Sequence, residues 1–377
     1  MRRRKEYLML AIALGIWFSL VAGAEEKKSS GSWTERIAPM VDFRYRHEEI
    51  DEEGEDWRSR ERIRLRAGFK ANLIEDWDLI FQLASGTGEP VSTNQSLDGG
   101  FSQKQIWIDQ AYVHFYPEKV KGLNVYGGRM KNPLFIPGKN QLIWDSDLNP
   151  EGWAVGYGKE FNRFSPFINC AGFWLDERSD QLDGIMYGAQ AGTKIKLGEN
   201  GKTHLNLGIG YYDFQNTKGY PFYFSKSGNS VDAGNKYVHA YELTEGMVEF
   251  GFKVAEIPFL IFGDYVVNNG IDTSDPEEDN IGWAIGFNVG KADKKNGWAV
   301  RYLYRELQKD AVIGAFSDSD FGGGGTNNKG HMIGLDYNLS KNIVMSLTYF
   351  LNTTAISKDD PRELNYNRMQ LDLSLKF

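Results

Sequence analysis

The chain has 377 residues, with 51 acidic and 43 basic side chains and a formal net charge of −8. That balance argues against nucleic acid as a partner, and a single cysteine, Cys170, excludes an intrachain disulfide and a thiolate metal cluster. The mean hydropathy is negative, as in soluble proteins; a membrane-spanning barrel has the same signature because its strands are only half apolar, and 14% aromatics with 42 Gly and only 11 Pro suit many strands.

In chain order, Arg2, Arg3, Arg4 and Lys5 precede an apolar run from Tyr7 to Val21 and the small-residue site Ala22-Gly23-Ala24. This pattern predicts a cleaved secretory signal over 1–24, then a short periplasmic lead over 25–37 and one barrel domain over 38–377. The alternative, an uncleaved membrane helix, is disfavoured because the run is short and meets Glu25, Glu26, Lys27 and Lys28 at once. From there on, period-two alternation predicts strands over 38–50, 58–72, 76–85, 104–117, 122–132, 152–159, 164–176, 184–198, 202–214, 239–255, 257–268, 280–291, 296–308, 329–340, 341–353 and 364–377. The alternation is weakest in 76–85 and 152–159, and without them the count drops from about sixteen to fourteen.

Short connections, such as 198–202 and 255–257, alternate with eight that are usually longer, such as 86–103, 133–151, 215–238 and 309–328. In the last strand Met369, Leu371, Leu373, Leu375 and Phe377 alternate with Gln370, Asp372, Ser374 and Lys376. A free edge of this kind invites aggregation, whereas a closed barrel pairs it on both sides. The fold class is therefore all-β: a transmembrane antiparallel up-and-down β-barrel of about sixteen strands, with short periplasmic turns and long extracellular loops. The glycine run 322–325 falls in an external loop and reads as a flexible spacer. The acidic runs 48–56 and 272–279 read as solvated surface outside the strands. The second offers carboxylates to calcium without a closed calcium-loop spacing, so no metal and no cofactor are expected.

The most unusual local feature is Arg58, Arg60, Arg62, Arg64 and Arg66 at alternate positions, with Lys70 continuing the face and Arg44 and Arg46 in the strand before. All lie on one side of a strand. An arginine facing lipid near the midplane costs about 2–4 kcal/mol, so the row is expected in a wet lumen, with Arg129, Lys131, Lys194, Lys196, Arg301, Arg305, Arg368 and Lys376 adding to it. The alternative is a structural network in which Asp42, Glu61 and loop acids pair the arginines. His47, His114, His204, His239 and His331 sit in no metal motif or nucleophile elbow, so no catalytic residue and no enzyme activity are expected.

The block from Leu83 to Gly158 contains LASGTGEPVSTNQSLDGGF, IWIDQAYVHFYP and GLNVYGGRMKNPLFIPGKNQLIWDSDLNPEGWAVGYG. With the arginine-rich second strand and the terminal Phe, it resembles the Putative porin family of Gram-negative outer membranes. The resemblance implies an outer-membrane barrel that passes small polar or anionic solutes and contacts outer-membrane lipid and lipopolysaccharide. The strand ending in Leu373, Leu375 and Phe377 resembles the signal read by the barrel assembly machinery. In sixteen-stranded porins the third external loop folds into the lumen. Here that loop, 133–151, holds Leu134, Phe135, Ile136, Leu142, Ile143 and Trp144, which an external loop would not normally show to water. By that resemblance Asp145, Asp147 and Glu151 are expected to face the arginines and set a transverse field across a constriction. Trimers are common among sixteen-stranded porins, which leaves a homotrimer open, although no interface is legible in the residues. The expected function is an anion-preferring diffusion porin. The alternatives are a barrel without through-transport, acting as receptor, adhesin or structural protein, and then an outer-membrane enzyme.

Overall fold

The structure is a computed structural model that describes residues 33–377 apart from 199–201, 226, 272–278 and 360–361. The signal over 1–24, residues 25–32 of the lead and residues 272–278 of the second acidic run lie outside the described residues.

Alternation of apolar and polar side chains yields β1 (Ile37–Glu52), β2 (Arg58–Ile74), β3 (Trp77–Ser85), β4 (Gln95–Ser96), β5 (Ile106–Phe115) and β6 (Leu123–Arg129). These are followed by β7 (Glu151–Gly158), β8 (Phe164–Asp176), β9 (Gly184–Leu197), β10 (Thr203–Gln215), β11 (Tyr241–Val254) and β12 (Ile257–Asn268). The set ends with β13 (Ile281–Gly290), β14 (Trp298–Leu307), β15 (Asn328–Ser340), β16 (Ile343–Thr354) and β17 (Leu364–Lys376). All except β4 pair antiparallel with their neighbours in a ring, which closes where β1 meets β17 in a register from Asp42↔Lys376 to Glu52↔Tyr366. The Phe377 N–H donates to the Val41 carbonyl at 2.9 Å, so pairing runs to the last residue. Both weakly alternating segments are strands, β3 and β7, and the ring has sixteen strands. The seventeenth, β4, lies within the 86–105 loop and pairs with β2 at Arg62 and Ile63; two residues are too few to show a period.

The outward face is apolar. Leu207, Ile209 and Tyr211 are 41%, 60% and 46% exposed, and Leu347, Tyr349, Leu371 and Leu373 share the same belt. In water such a surface would aggregate; in lipid it is the favoured contact. The inward face divides in two. From β8 to β14 it carries buried apolar groups such as Phe173, Tyr212, Leu243, Val266 and Leu307. From β15 through β17 to β3 it is mainly polar and charged.

The apolar half is filled by loops. In the 130–150 loop, Leu142, Ile143 and Trp144 are buried, with the Trp144 ring edge-on to Tyr212 at 5.5 Å. In the 308–327 loop, Phe316 stacks on Phe214 and on Tyr223 of the 216–240 loop. These three loops thus continue the core inside the barrel.

Two expectations for the loops are overturned. The glycine run 322–325 is no spacer: its φ angles are 59°, 80°, 105° and 78°, the Gly322 N–H donates to Asn352 at 2.9 Å, and a Cβ on Gly325 would lie 2.2 Å from the Ser227 carbonyl oxygen. Glycine is required there by backbone hand and by space. The acidic run 48–56 does not lie outside the strands, because Glu48–Glu52 belongs to β1 and Glu48 is fully buried in the lumen. Surrounding guanidinium groups make that burial feasible.

Gly325→Ala should therefore loosen the 308–327 loop. A left-handed non-glycine costs about 1–2 kcal/mol, and the contact with Ser227 adds to it. Protease nicking of this loop should rise in G325A, whereas Gly246→Ala, with nothing within 4 Å of the added carbon, should leave it unchanged.

Candidate functional site: an arginine wall met by loop carboxylates

The β1–β2 hairpin sets the wall. Its register places Asp42 opposite Arg66, Arg44 opposite Arg64, Arg46 opposite Arg62 and Glu48 opposite Arg60, all on the inner face. β17 adds Arg368 and Asp372 on the other side of β1. Within the barrel, Arg46 holds Asp372 through two bonds of 2.6 and 2.8 Å, and Arg64 reaches Asp42 at 2.7 Å. Glu48 accepts from Arg60 at 2.7 Å and also bonds Arg368, with Arg62 standing off at 3.7 Å. Lys70 pairs with Asp78 at 2.7 Å.

Two loops complete the pairing. Asp147 of the 130–150 loop meets Arg66 at 2.8 Å and Arg64 at 3.9 Å. Asp320 of the 308–327 loop meets Arg368 at 2.8 Å and Arg46 at 3.1 Å. The two contacts share one local design. Each aspartate ends an Asp-Ser-Asp triplet whose first carboxylate accepts the N–H of the third residue: Asp145 from Asp147 at 2.7 Å, and Asp318 from Asp320 at 2.8 Å. Asp145 also accepts the Ser319 N–H at 2.9 Å, tying the two loops together. The 86–105 loop adds Thr93 and Asn94, which accept from Arg66 and Arg44 at 2.8 and 2.6 Å.

Charge is divided within each triplet. Burial pushes the Asp147 carboxyl up, but the Arg66 and Arg64 guanidinium groups outweigh it and hold it at about 2. Asp320 is likewise buried yet pulled below the usual carboxylate range by Arg368 and Arg46. Asp145 and Asp318 move the other way, pushed up by burial and by neighbouring carboxylates. Between them lies Arg305 of β14, only 1% exposed and without a carboxylate in contact among the described residues. It donates to Asn328 at 2.8 Å and lies over the Phe321 ring at 4.1 Å. A buried guanidinium without direct pairing is costly; the nearby charges of Asp318 and Asp145 offset this from a distance.

On the opposite wall the 130–150 loop is anchored by β9, β11 and β12. Gln190 exchanges bonds of 2.8 and 2.9 Å with the Phe135 backbone, Gly138 N–H donates to Glu249 at 2.6 Å, and Asn140 donates to Asp264 at 2.8 Å. The loop therefore spans the lumen. A cavity of about 420 Å³ lies on the loop side of the bridges, lined by Arg58, Arg60, Arg62, Glu89 and Tyr366. Another of about 280 Å³ lies toward the turns, lined by Asn124, Tyr126, Phe135 and Asn169.

Arg44, Arg46, Arg60, Arg62, Arg64 and Arg66 thus stand together, with Arg58 exposed at the rim. Arg129 and Glu151 pair at 2.6 Å where β6 meets β7, on the strand face of Val125 and Val155 and away from the row. Lys131 follows the end of β6 and is exposed. Asp147 meets the wall, while Asp145 turns to the 308–327 loop. Leu373 and Leu375 lie outward opposite Tyr45 and Phe43, and Phe377 is exposed beyond them. Sequence reasoning missed Asp318 and Asp320, although a second Asp-Ser-Asp was the available signal. Of the histidines, His114 bonds Asn124 at 2.9 Å and stacks on Tyr126, His331 bonds Tyr302, and His47 bonds Glu61 on the outer face.

A closed sixteen-strand barrel, belted by apolar groups and holding inward loops against a charged wall, is the architecture of an outer-membrane porin channel. The family described as Putative porin matches residues 48–245 and 244–377, and the chain belongs to it. OprB of Pseudomonas putida, in its high-pH structure, is similar with a TM-score of 0.57 at 11% identity, over 91% of this chain and 95% of that one. OmpF of Salmonella typhi, solved in complex with daunomycin, gives 0.54 at 11% identity, over 92% and 99%. A loop-deletion mutant of OmpT from Vibrio cholerae gives 0.50 at 11% identity, over 91% and 100%. At such identity the likeness is one of fold. No curated protein matches the chain.

Two outcomes are expected at this site. Asp147 is depressed in the folded protein, so its stabilising effect is complete above its unfolded value of about 3.9 and is lost as pH falls through about 2. D147N should raise hydrogen exchange across 141–149 at neutral pH, and its difference from the unsubstituted protein should persist down to about pH 4 and shrink only below that. Arg305→Met keeps much of the bulk but leaves Asp145 and Asp318 buried without their cation. Exchange across 308–327 should then increase by about tenfold or more, with β1 unaffected.

Proposed function

We propose that the barrel is a passive, water-filled channel for small hydrophilic solutes and ions, and not an enzyme. The observation that carries this is the arginine row on the lumen wall, met across the opening by Asp147 and Asp320 from two inserted loops. Guanidinium groups outnumber the carboxylates that reach them, so the wall favours anions, and the opposed rows set a field that orients dipolar solutes. The chain reaches the outer membrane behind a cleaved signal over 1–24 and inserts through the barrel assembly machinery by its last strand. The apolar belt contacts lipid and lipopolysaccharide, and a homotrimer is the assembly proposed.

One observation favours a second reading. The loop acids touch the arginines directly, and the 130–150, 216–240 and 308–327 loops fill much of the lumen. A barrel closed in this way would serve as a receptor, adhesin or structural protein through its external loops.

Single-channel recording in a planar bilayer under a salt gradient separates the two. Stable steps with an anion-biased reversal potential are expected, and a folded but silent protein would sink the channel reading. Replacing Arg60, Arg62 and Arg64 with Gln should move the reversal potential towards cations. Deleting residues 134–144 should raise the conductance; an unchanged value would place this loop outside the path.

A further inference from the structure

The cavity on the loop side of the bridges differs from the rest of the wall. Most arginines of the wall touch carboxylates: Arg368 meets Asp320 and Arg60 meets Glu48 at the edge of this cavity, and Arg46 meets Asp320 and Arg66 meets Asp147 beyond it. Three further charged groups that line it, Arg58, Arg62 and Glu89, have no oppositely charged partner within hydrogen-bond distance among the described residues. Arg58 forms no ion pair among the described residues, and Arg62 has its nearest carboxylate, Glu48, at 3.7 Å. The Arg62 Nε is buried and donates to nothing, although its side chain is only 12% exposed. On the 86–105 loop, Glu89 lines the same space, is half-buried and also forms no ion pair among the described residues. Guanidinium groups and a carboxylate with open hydrogen-bonding capacity thus line one space of about 420 Å³.

We propose that this cavity is a binding station for a zwitterionic solute, an amino acid or short peptide, whose carboxylate docks on Arg62 and Arg58 and whose ammonium docks on Glu89. A guanidinium fork matches a carboxylate with two parallel bonds, which a neutral sugar cannot use. The rim carries Glu52, Glu55 and Asp56, which repel a plain anion and tolerate a solute bringing its own positive charge. Ser92 and the Tyr366 ring border the same space and supply neutral polar and aromatic contact for what lies between the two charged ends. The station names a solute class for the proposed channel and rests on that reading only for the route by which the solute leaves.

Binding is measured by titration calorimetry on the folded, detergent-solubilised barrel, which does not require conduction. The probes are alanyl-alanine, its N-acetyl derivative with the carboxylate alone, and its amide with the ammonium alone. Alanyl-alanine should bind about tenfold tighter than either derivative. Arg62→Gln should abolish its binding, and Glu89→Gln should bring it to within about twofold of the N-acetyl form. Heat-modifiable migration shows that each variant is folded, and Arg58→Gln at the exposed rim provides a second, milder loss. Equal binding of the N-acetyl form would show a simple anion site and overturn the proposal, as would absence of heat with all three probes. A protein that conducts without binding loses only the station, and one that binds while silent in bilayers loses only the channel.

Discussion

Two pairs of arginines stand directly opposite one another across the first hairpin, Arg44 with Arg64 and Arg46 with Arg62. Like charges at facing strand positions destabilise a sheet, and these cannot turn outward, because a one-residue slip would put every arginine of the row in lipid. The wall therefore requires carboxylates. Asp42, Glu48 and Asp372 come from the barrel itself, with Asp109 of β5 standing 3.7 Å from Arg66. The rest must come from outside the sheet, and only loops can cross to reach it. The inward course of the 130–150 and 308–327 loops follows from that electrostatic need.

The far side of the lumen makes the crossing stable. Its inner face is apolar where the loops land, so each loop has an apolar side against β8 to β14 and an acidic side toward β1 and β2. Trp144 and Asp147 are three residues apart and point to opposite walls, as do Phe316 and Asp320 in the other loop. Buried apolar contact offsets the cost of ordering the loops, and the ion pairs fix their direction.

Much of the barrel was legible because a strand repeats every two residues, and a period of two survives without any tertiary knowledge. The belt through Leu207, Ile209 and Tyr211 and the row from Arg58 to Arg66 are of this kind. The 130–150 loop was legible because its apolar content is out of place in an external loop. The 308–327 loop carries the same clue in Val312, Ile313 and Phe316, together with a second Asp-Ser-Asp, yet its glycines read more readily as slack. Their left-handed angles arise only from packing against Ser227, Asn352 and Tyr366, contacts distant in sequence. Arg129 illustrates another limit. At the end of a short strand, the face depends on register with Glu151 across the sheet, which local pattern does not encode. Nor does spacing reveal that Asp145 and Asp147, two residues apart, serve different partners.

The bonds between Arg46 and Asp372 join residues 326 positions apart. Closing so long a chain segment early is entropically unfavourable, and contacts of such separation form slowly. The arginine hairpin therefore exists for a time without part of its counter-charge, as an open, strongly cationic edge. In this way the charge pattern that organises the finished lumen also marks an unfinished barrel.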